Sequence, residues 1–581
     1  EDEFAENLFY RKVRELTGQG ITEFVNVDGL NPDDLSLDMF SATELNNFRN
    51  IGLNYYGYDY LGNRTSNNIA FNDIFTERDE NGRRTMNVAP FSPIYGAGYI
   101  QDKFTYKDII FRLGLRVDYY DANTKVLRDP YTLNAIKTAD QFFSENPDLT
   151  RPGTVGDDYK VYVAGENSNS VVGYRVGDQW FRPDGTATDG NLLFGGGLVF
   201  PAYEVEDPDA RDLKNENYDP DGSFKDYDPQ LNFMPRLAFS FPISESAGFF
   251  AHYDVLVERP TSNTLATSLN YYYFVESFTG GFNNPDLRPQ RTIDYEVGFQ
   301  QKISNSSALK VSAYYKEVRD MIQQRFLSFV PAPISRYQTY GNIDFGTVKG
   351  FSFNYDLRRT GNFELNATYT LQFADGSGSD ANSSAGLNQR GDIRNLNPLS
   401  FDERHRITAV ADYRYGSGKN YNGPRIGNKD IFANAGINLI ITAVSGRPYS
   451  TFRTVTAPLG ASQRETINGA RLPWQFNADL QVDKNFMVKF SEESQRSLAI
   501  NVYLRVQNLF DIRNVVGVYS ASDDPENEGY LTNQFGEARI NQIINDGFVL
   551  DSFLAHYQWR TAQPGFFTLP RQIFLGTIIN F

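Results

Sequence analysis

The residues with the most chemical potential are a run of aspartates. Asp219-Pro220-Asp221-Gly222-Ser223, followed by Asp226 and Asp228, gathers carboxylate oxygens around a glycine turn, the donor type a calcium loop uses. The EF-hand spacing is incomplete, because no glutamate follows the glycine at the required distance. Glu204, Glu206, Asp207, Asp209 and Asp212 make the whole neighbourhood acidic. The expectation is therefore a solvated acidic loop, with calcium the one candidate cofactor. His252, His405 and His556 stand too far apart for zinc-ligand spacing, and a chain without cysteine has no thiolate ligand or cysteine nucleophile. No G-x-S-x-G elbow, P-loop, H-E-x-x-H or dinucleotide fingerprint occurs, so no enzymatic activity is expected. The small, polar run from Asp375 to Gly386 has no helix pattern after it and reads as a loop tip, not a phosphate cradle.

Aromatic side chains offer the other chemistry. Tyr271, Tyr272, Tyr273, Phe274 and Phe278 form a dense tract, and Trp180 and Phe181 a pair, both inside long polar stretches. Aromatic faces stack on sugars and peptide side chains, so these seven are the candidate ligand or partner contacts. The alternative is that they pack on one another and hold the loops shut.

The elements that must carry such loops show as a period of two. In 498–506, Leu498, Ile500, Val502, Leu504 and Val506 share a face against Asn501, Tyr503 and Arg505. In 363–373, Phe363, Leu365, Ala367, Tyr369, Leu371 and Phe373 oppose Glu364, Asn366, Thr368, Thr370 and Gln372. Alternation of this kind excludes helix. About thirteen such segments follow residue 93, near 93–107, 108–123, 233–245, 248–260, 292–304, 308–327, 346–360, 362–374, 405–416, 431–450, 472–489, 497–511 and 572–581. Each is near the roughly 10 residues that cross a bilayer at a tilt, with one unbroken apolar face. Short turns such as 244–246, 304–307 and 360–362 alternate with long excursions over 124–232, 261–291, 328–345, 375–404, 451–471 and 512–571. This is the pattern of a transmembrane antiparallel β-barrel, with Leu498, Ile500, Val502, Phe363 and Leu365 facing lipid and Asn501, Arg505, Glu364 and Asn366 facing the lumen.

Residues 1–92 read differently. Leu8, Val13 and Leu16 fall at near-helical spacing, and Ser41-Ala42-Thr43-Glu44 makes a capping box. The stretch is expected to be mostly extracellular loop, with short helices and room for one strand in 51–61. Residues 93–581 are expected to hold the barrel strands.

Composition agrees. The 581 residues carry a formal charge of -17, which argues against a nucleic-acid partner. Aromatics make up 15%, nearly all Tyr and Phe, as the girdles at the two rims of a barrel require. No apolar run is long enough for a membrane helix. The chain opens at Glu1 without methionine or an apolar leader, from which further sequence upstream is expected.

Several motifs in order resemble the carboxyl-terminal barrel of TonB-dependent outer-membrane receptors, in the large form found in Bacteroidetes. They are Tyr99–Phe104 (Y-I-Q-D-K-F), Gly114–Tyr120 (G-L-R-V-D-Y-Y), Asn284–Gln290 (N-P-D-L-R-P-Q) and Asp294–Phe299 (D-Y-E-V-G-F). Asp402–Arg406 (D-E-R-H-R), Ser445–Ser450 (S-G-R-P-Y-S), Asn508–Asp511 (N-L-F-D) and the aromatic end strand Gln572–Phe581 complete the series. The resemblance implies the Gram-negative outer membrane, contact with its lipids, and a barrel of about 22 strands around a plug. Thirteen or fourteen strands cannot close such a barrel, so this reads as its downstream portion, with the plug and the TonB-contacting segment upstream. The implied function is TonB-dependent uptake of an oligosaccharide, peptide or metal chelate, with a surface lipoprotein as a candidate partner. The alternative is a non-transporting barrel serving as accessory or scaffold of an outer-membrane export or assembly complex. Apart from the resemblance, Gly114 and Gly298 read as lumen positions that leave room for a plug or a strand bend. Gly446 and Pro448 read as turn residues, and Arg404, His405 and Arg406 as a group tying down a rim carboxylate or lipid headgroup.

Overall fold

The structure is a computed structural model that describes residues 7–20, 22–25, 29–46, 57–65, 69–260, 264–275, 281–332, 334–383, 394–453, 455, 464, 466–489 and 497–580. Strict alternation produces one large antiparallel sheet. Its thirteen consecutive strands are β1 (Ile94–Tyr106), β2 (Ile109–Asp121), β3 (Gln230–Ser244), β4 (Ala247–Glu258), β5 (Gln290–Lys302), β6 (Ser307–Val330) and β7 (Ser335–Thr360). They continue as β8 (Phe363–Gly376), β9 (His405–Arg414), β10 (Ala435–Val444), β11 (Gln475–Lys489), β12 (Ser497–Gln507) and β13 (Gln572–Asn580). Each strand pairs with its sequence neighbours, and among the described residues β1 and β13 are not paired to each other.

Register sorts the two faces. Leu365, Ala411, Leu439, Leu480, Val506 and Ile573 lie directly opposite one another across six strands. One residue away, Glu364, Asp412, Asn438, Gln481 and Arg505 form the next rung. Because directly opposed residues share a face, the apolar rungs make a continuous belt for lipid and the polar rungs make the lumen wall. The alternation read at 363–373 and 498–506 sorts onto two opposite faces as expected.

Three glycines on the polar face meet an aromatic ring from the neighbouring strand: Gly298 opposite Phe250, Gly350 opposite Tyr314, and Gly576 opposite Tyr503. A Cβ on Gly298 would come within 2.5 Å of the Phe250 ring and 2.6 Å of the Val311 carbonyl. The room left by the missing side chain is thus filled by a cross-strand ring, which covers backbone that glycine would otherwise leave bare. Gly446 serves a different end from the turn expected of it. A Cβ there would sit 1.6 Å from the Leu472 carbonyl oxygen, so the residue lets two rim segments pack backbone against backbone.

The connections alternate between 107–108, 245–246, 303–306 and 361–362 at one end and 122–229, 259–289, 377–404, 445–474 and 508–571 at the other. Two expectations need correction. Residues 328–345 are not a loop: β6 and β7 run on as a hairpin that turns at 331–334, with bulges near Asp320 and Phe329, both at positive φ. Its outer residues (Met321 to Leu327 against Tyr337 to Asp344) keep pairing beyond the membrane length because they are rich in β-formers. The short-turn end also carries one longer connection, 415–434, with a small pairing of Arg425–Ile426 against Lys429–Asp430. In residues 1–92, the helix Leu8–Thr17 and the reciprocal capping box of Ser41 and Glu44 form as read, while 51–56 lie outside the described residues.

Candidate functional site

The lumen wall is a lattice of paired charges. Arg414 donates to the buried Asp483 at 2.6 and 3.0 Å, and Asn501 donates to Asp483 at 3.0 Å and to Asn485 at 2.8 Å. Lys316 pairs with Asp294 at 2.9 Å, and Glu296 is flanked by Lys310 at 3.8 Å and His252 at 3.7 Å. At the rim, Asp402 accepts from the Ala374 N–H at 2.9 Å and from Arg471, with Arg404 3.5 Å away. Glu403 takes Arg406 and Arg447. The D-E-R-H-R segment therefore ties rim carboxylates to arginines, while His405 stacks between Tyr369 and Trp474.

At the opposite end from the short turns, connections 122–229 and 259–289 fold together with residues before β1 and the outer β6–β7 hairpin around a core of rings. Tyr271, Tyr272, Tyr273 and Phe274 are buried there, at 2%, 5%, 7% and 4% exposure. Tyr271 packs on Phe224 at 4.9 Å, and Phe274 on Phe282 at 4.7 Å and Tyr337 at 4.9 Å. Burial pushes the Tyr271 hydroxyl above its ordinary range. Trp180 joins the same core against Tyr162, Phe194 and Tyr131, and Phe181 packs on Tyr159 in an adjoining cluster. The buried rings of Trp180 and Tyr271 to Phe274 are covered by neighbouring rings, which is the loop-to-loop packing given above as the alternative to a stacking wall. Long loops lose about 1–2 kcal/mol of backbone entropy per ordered residue, and burial of large rings is what opposes that cost. Phe278 lies outside the described residues.

The core ties distant segments together. Phe71, Ile74, Phe75, Met86 and Val88 come from before β1, Trp180 and Phe224 from 122–229, the tyrosines from 259–289, and Leu327 and Tyr337 from the β6–β7 hairpin. Within 122–229, the strands Ala187–Thr188, Gln179–Phe181, Val171–Val176, Lys160–Val163 and Phe200–Pro201 form a five-stranded sheet of their own. Arg175 is sealed beneath it, paired with Asp129, donating to Tyr162 at 3.0 Å, and lying 4.3 Å from the Tyr131 ring centroid.

The four aspartates do not converge. Asp219 caps the turn Pro220–Ser223 by accepting from the Asp221 N–H at 3.0 Å. Lys125 and Asn72 take the Asp221 carboxylate and hold it below the usual carboxylate range. Asp228 pairs with Lys225 at 2.9 Å, and Asp226 is exposed at the end of the strand Phe224–Asp226. Among the described residues no group of three or more acidic or histidine side chains is placed to hold a metal ion.

Asp286, before β5, behaves differently. Desolvation by the atoms packed around it raises its carboxyl above the ordinary value although the residue is still exposed to water, with Lys225 and Arg288 pulling the other way. A raised carboxyl favours the folded state most at acid pH, below the unfolded value of about 3.9, and that contribution is lost as pH rises through the folded value. Asp286→Asn is therefore expected to make the loops more resistant to protease at pH 7, with the difference shrinking as pH falls towards 4. Equal cleavage of both proteins at pH 7 would contradict it.

An antiparallel wall with one apolar and one polar face and a folded loop assembly at one end is the architecture of an outer-membrane β-barrel wall. The chain belongs to the TonB-dependent receptor-like β-barrel family, whose profile matches residues 6–509. Barrels of this family lie in the outer membrane of Gram-negative bacteria, and this chain is an outer-membrane protein. Among solved structures it is similar to the ferric-catecholate import receptor Fiu from E. coli K12, with 12% identity and a TM-score of 0.37 over 76% of this chain and 45% of that one. The FrpB iron transporter from Neisseria meningitidis is similar at 11% and 0.37, over 74% and 42%. The ferric yersiniabactin uptake receptor FyuA from Yersinia pestis is similar at 9% and 0.34, over 73% and 42%. The chain thus spans less than half the length of these structures. No curated protein matches it.

Proposed function

We propose that the chain forms wall and outer loops of a TonB-dependent receptor that takes up a scarce nutrient through a plugged barrel. The observation that carries this reading is a wall whose first and last strands, among the described residues, have no partner on their outer edges. Inside a bilayer a free strand edge leaves a row of unsatisfied N–H and C=O groups at several kcal/mol each, so β1 and β13 need further strands to join them. A sheet completed in that way encloses a lumen lined by the paired charges above, wide enough to need a plug. The plug and the contact with TonB would come from sequence beyond these residues. The test compares a strain lacking the receptor with its parent, feeding labelled oligosaccharides, peptides or iron chelates with and without a protonophore. Uptake of one class that needs both the receptor and the proton gradient is expected. No receptor-dependent uptake of any class, with outer-membrane assembly impaired instead, would favour the scaffold reading.

A further inference from the structure

Connection 415–434, at the short-turn end, is fastened to the apolar face of the wall. The Tyr415 N–H donates to the Ala435 carbonyl at 2.9 Å, Ala435 opposes Lys484, and Lys484 opposes Val502. These four positions lie two residues beyond Tyr413, Ile437, Val482 and Leu504, so alternation puts them on the same apolar face. Two of them hold the connection. The Tyr415 ring stacks on Phe432 at 5.9 Å and meets Tyr421 at 6.0 Å, and the Lys484 ammonium donates to the Ile431 carbonyl. Asn362, in the neighbouring short turn, donates to Asn422 at 2.8 Å. The connection is thus folded against the outside of the wall, away from the polar face.

Its free part is exposed and cationic. Ile426 is 69% exposed beside the turn that joins Arg425–Ile426 to Lys429–Asp430, where Gly427 takes a positive φ. Lys419, Arg425 and Lys429 stand against a single carboxylate, Asp430, in a chain whose formal charge is -17. Arg425 pairs with Asp430 at 2.8 Å, whereas among the described residues Lys419 and Lys429 have no ion-pair partner.

We propose that connection 415–434 is a foot that binds the anionic phospholipid headgroups of the leaflet at the short-turn end. Lys419 and Lys429 take the phosphates, and Ile426 enters between the headgroups. Position, charge and apolarity each select this partner. A foot fastened to the apolar face meets the lipid that covers that face, while anything held inside the barrel meets the polar face. Two unpaired ammonium groups on an acidic protein complement an anionic surface and repel another copy of the acidic loops. An exposed aliphatic tip flanked by Arg and Lys is the pattern of a segment that lies in a membrane interface. Lys484 repeats it at the foot's base, its stem on the apolar face with Nζ 5.1 Å from the Phe486 ring centroid and its ammonium brought to the rim. The foot depends on the membrane position of the wall and not on uptake.

The experiment exploits the absence of cysteine from the chain: Asn428→Cys, at an exposed position in the turn, takes a single environment-sensitive dye. The labelled protein, purified in a non-ionic detergent, is titrated with dihexanoyl-phosphatidylglycerol and with dihexanoyl-phosphatidylcholine. A saturable response to the first is expected, with half-saturation at least about tenfold lower than for the second. Lys419→Gln together with Lys429→Gln removes two exposed charges and no ion pair, and should raise the phosphatidylglycerol half-saturation about tenfold or more. Heat-modifiable gel migration of this variant must match the parent. In a second measurement the protein sits in bilayers, and acrylamide should quench the dye less when phosphatidylglycerol is present than in phosphatidylcholine alone. Equal responses to the two lipids, or a double variant that binds like the parent, would overturn the headgroup site. Equal quenching in both bilayers would also overturn it, by showing that the tip stands in water, where a soluble protein is the remaining partner. No readout involves transport, so a receptor that takes up nothing sinks the uptake reading and leaves the foot standing.

Discussion

Replacing Arg175 by methionine is expected to open the loop assembly while leaving the barrel wall intact. Arg175 has a side chain 4% exposed and Asp129 one 14% exposed, so the pair lies almost wholly out of water. The guanidinium also donates to the Tyr162 hydroxyl and the Gly177 carbonyl and packs on the Tyr131 ring. Methionine removes all of these at once and strands the Asp129 charge, which among the described residues keeps the Tyr131 N–H at 3.0 Å. Breaking a buried pair from one side costs about 3–5 kcal/mol, most of it from the charge left behind. Hydrogen exchange in residues 160–181 should speed up by two or more orders of magnitude. Heat-modifiable migration of the barrel should not change. Replacing Asp129 by leucine as well should recover much of the loss, since two apolar groups need no partner. Unchanged exchange in the single variant would show that the pair contributes nothing to the loop assembly.

The same comparison explains what a reader of the sequence could and could not see. The wall strands announce themselves because each buries nothing but its belt in lipid, so polarity must alternate residue by residue, as at Leu365 against Glu364 and Asn366. The loop sheet has no such rule. Lys160–Val163 is buried at Val161, Tyr162 and Val163 in succession, being covered on both sides, and strands of two or three residues are too short to show a period. The outer half of the β6–β7 hairpin was hidden for a related reason: its bulges at Asp320 and Phe329 shift the register and break the alternation. Helices α1 (Gln534–Asn545) and α2 (Leu550–Thr561) inside 508–571 carried one readable signal, Asn533, which caps α1 by accepting from the Phe535 and Gly536 N–H groups.

The candidate site was legible in composition, and its packing was not. A tract of aromatics marks a place where large apolar area concentrates, and Tyr271 to Phe274 lie in such a place. Whether such area faces a ligand or a neighbouring loop depends on which segments converge, and Phe71, Phe224 and Tyr337 converge from over 250 residues of sequence.

The wall itself admits the second large test. Leu439 and Asn438 are adjacent on β10, yet one faces lipid beside Ala411 and Leu480 and the other faces the lumen beside Asp412 and Gln481. Leu439 is the fifth of ten residues in its strand, near mid-membrane, where an arginine on the lipid face costs about 2–4 kcal/mol. Leu439→Arg should therefore lower the denaturant midpoint of the assembled barrel and reduce its yield in the outer membrane. Asn438→Arg places the same side chain one residue away, opposite a carboxylate in a lumen already rich in paired charge, and should change stability by no more than about 0.5 kcal/mol. The difference between the two variants matters more than either value, because chain length, charge and strand propensity change alike in both. A lumen variant as damaging as the lipid-face variant would mean that the polar rung of Glu364, Asp412, Asn438, Gln481 and Arg505 does not face water. The register drawn across β8 to β12, and the barrel built on it, would then be wrong.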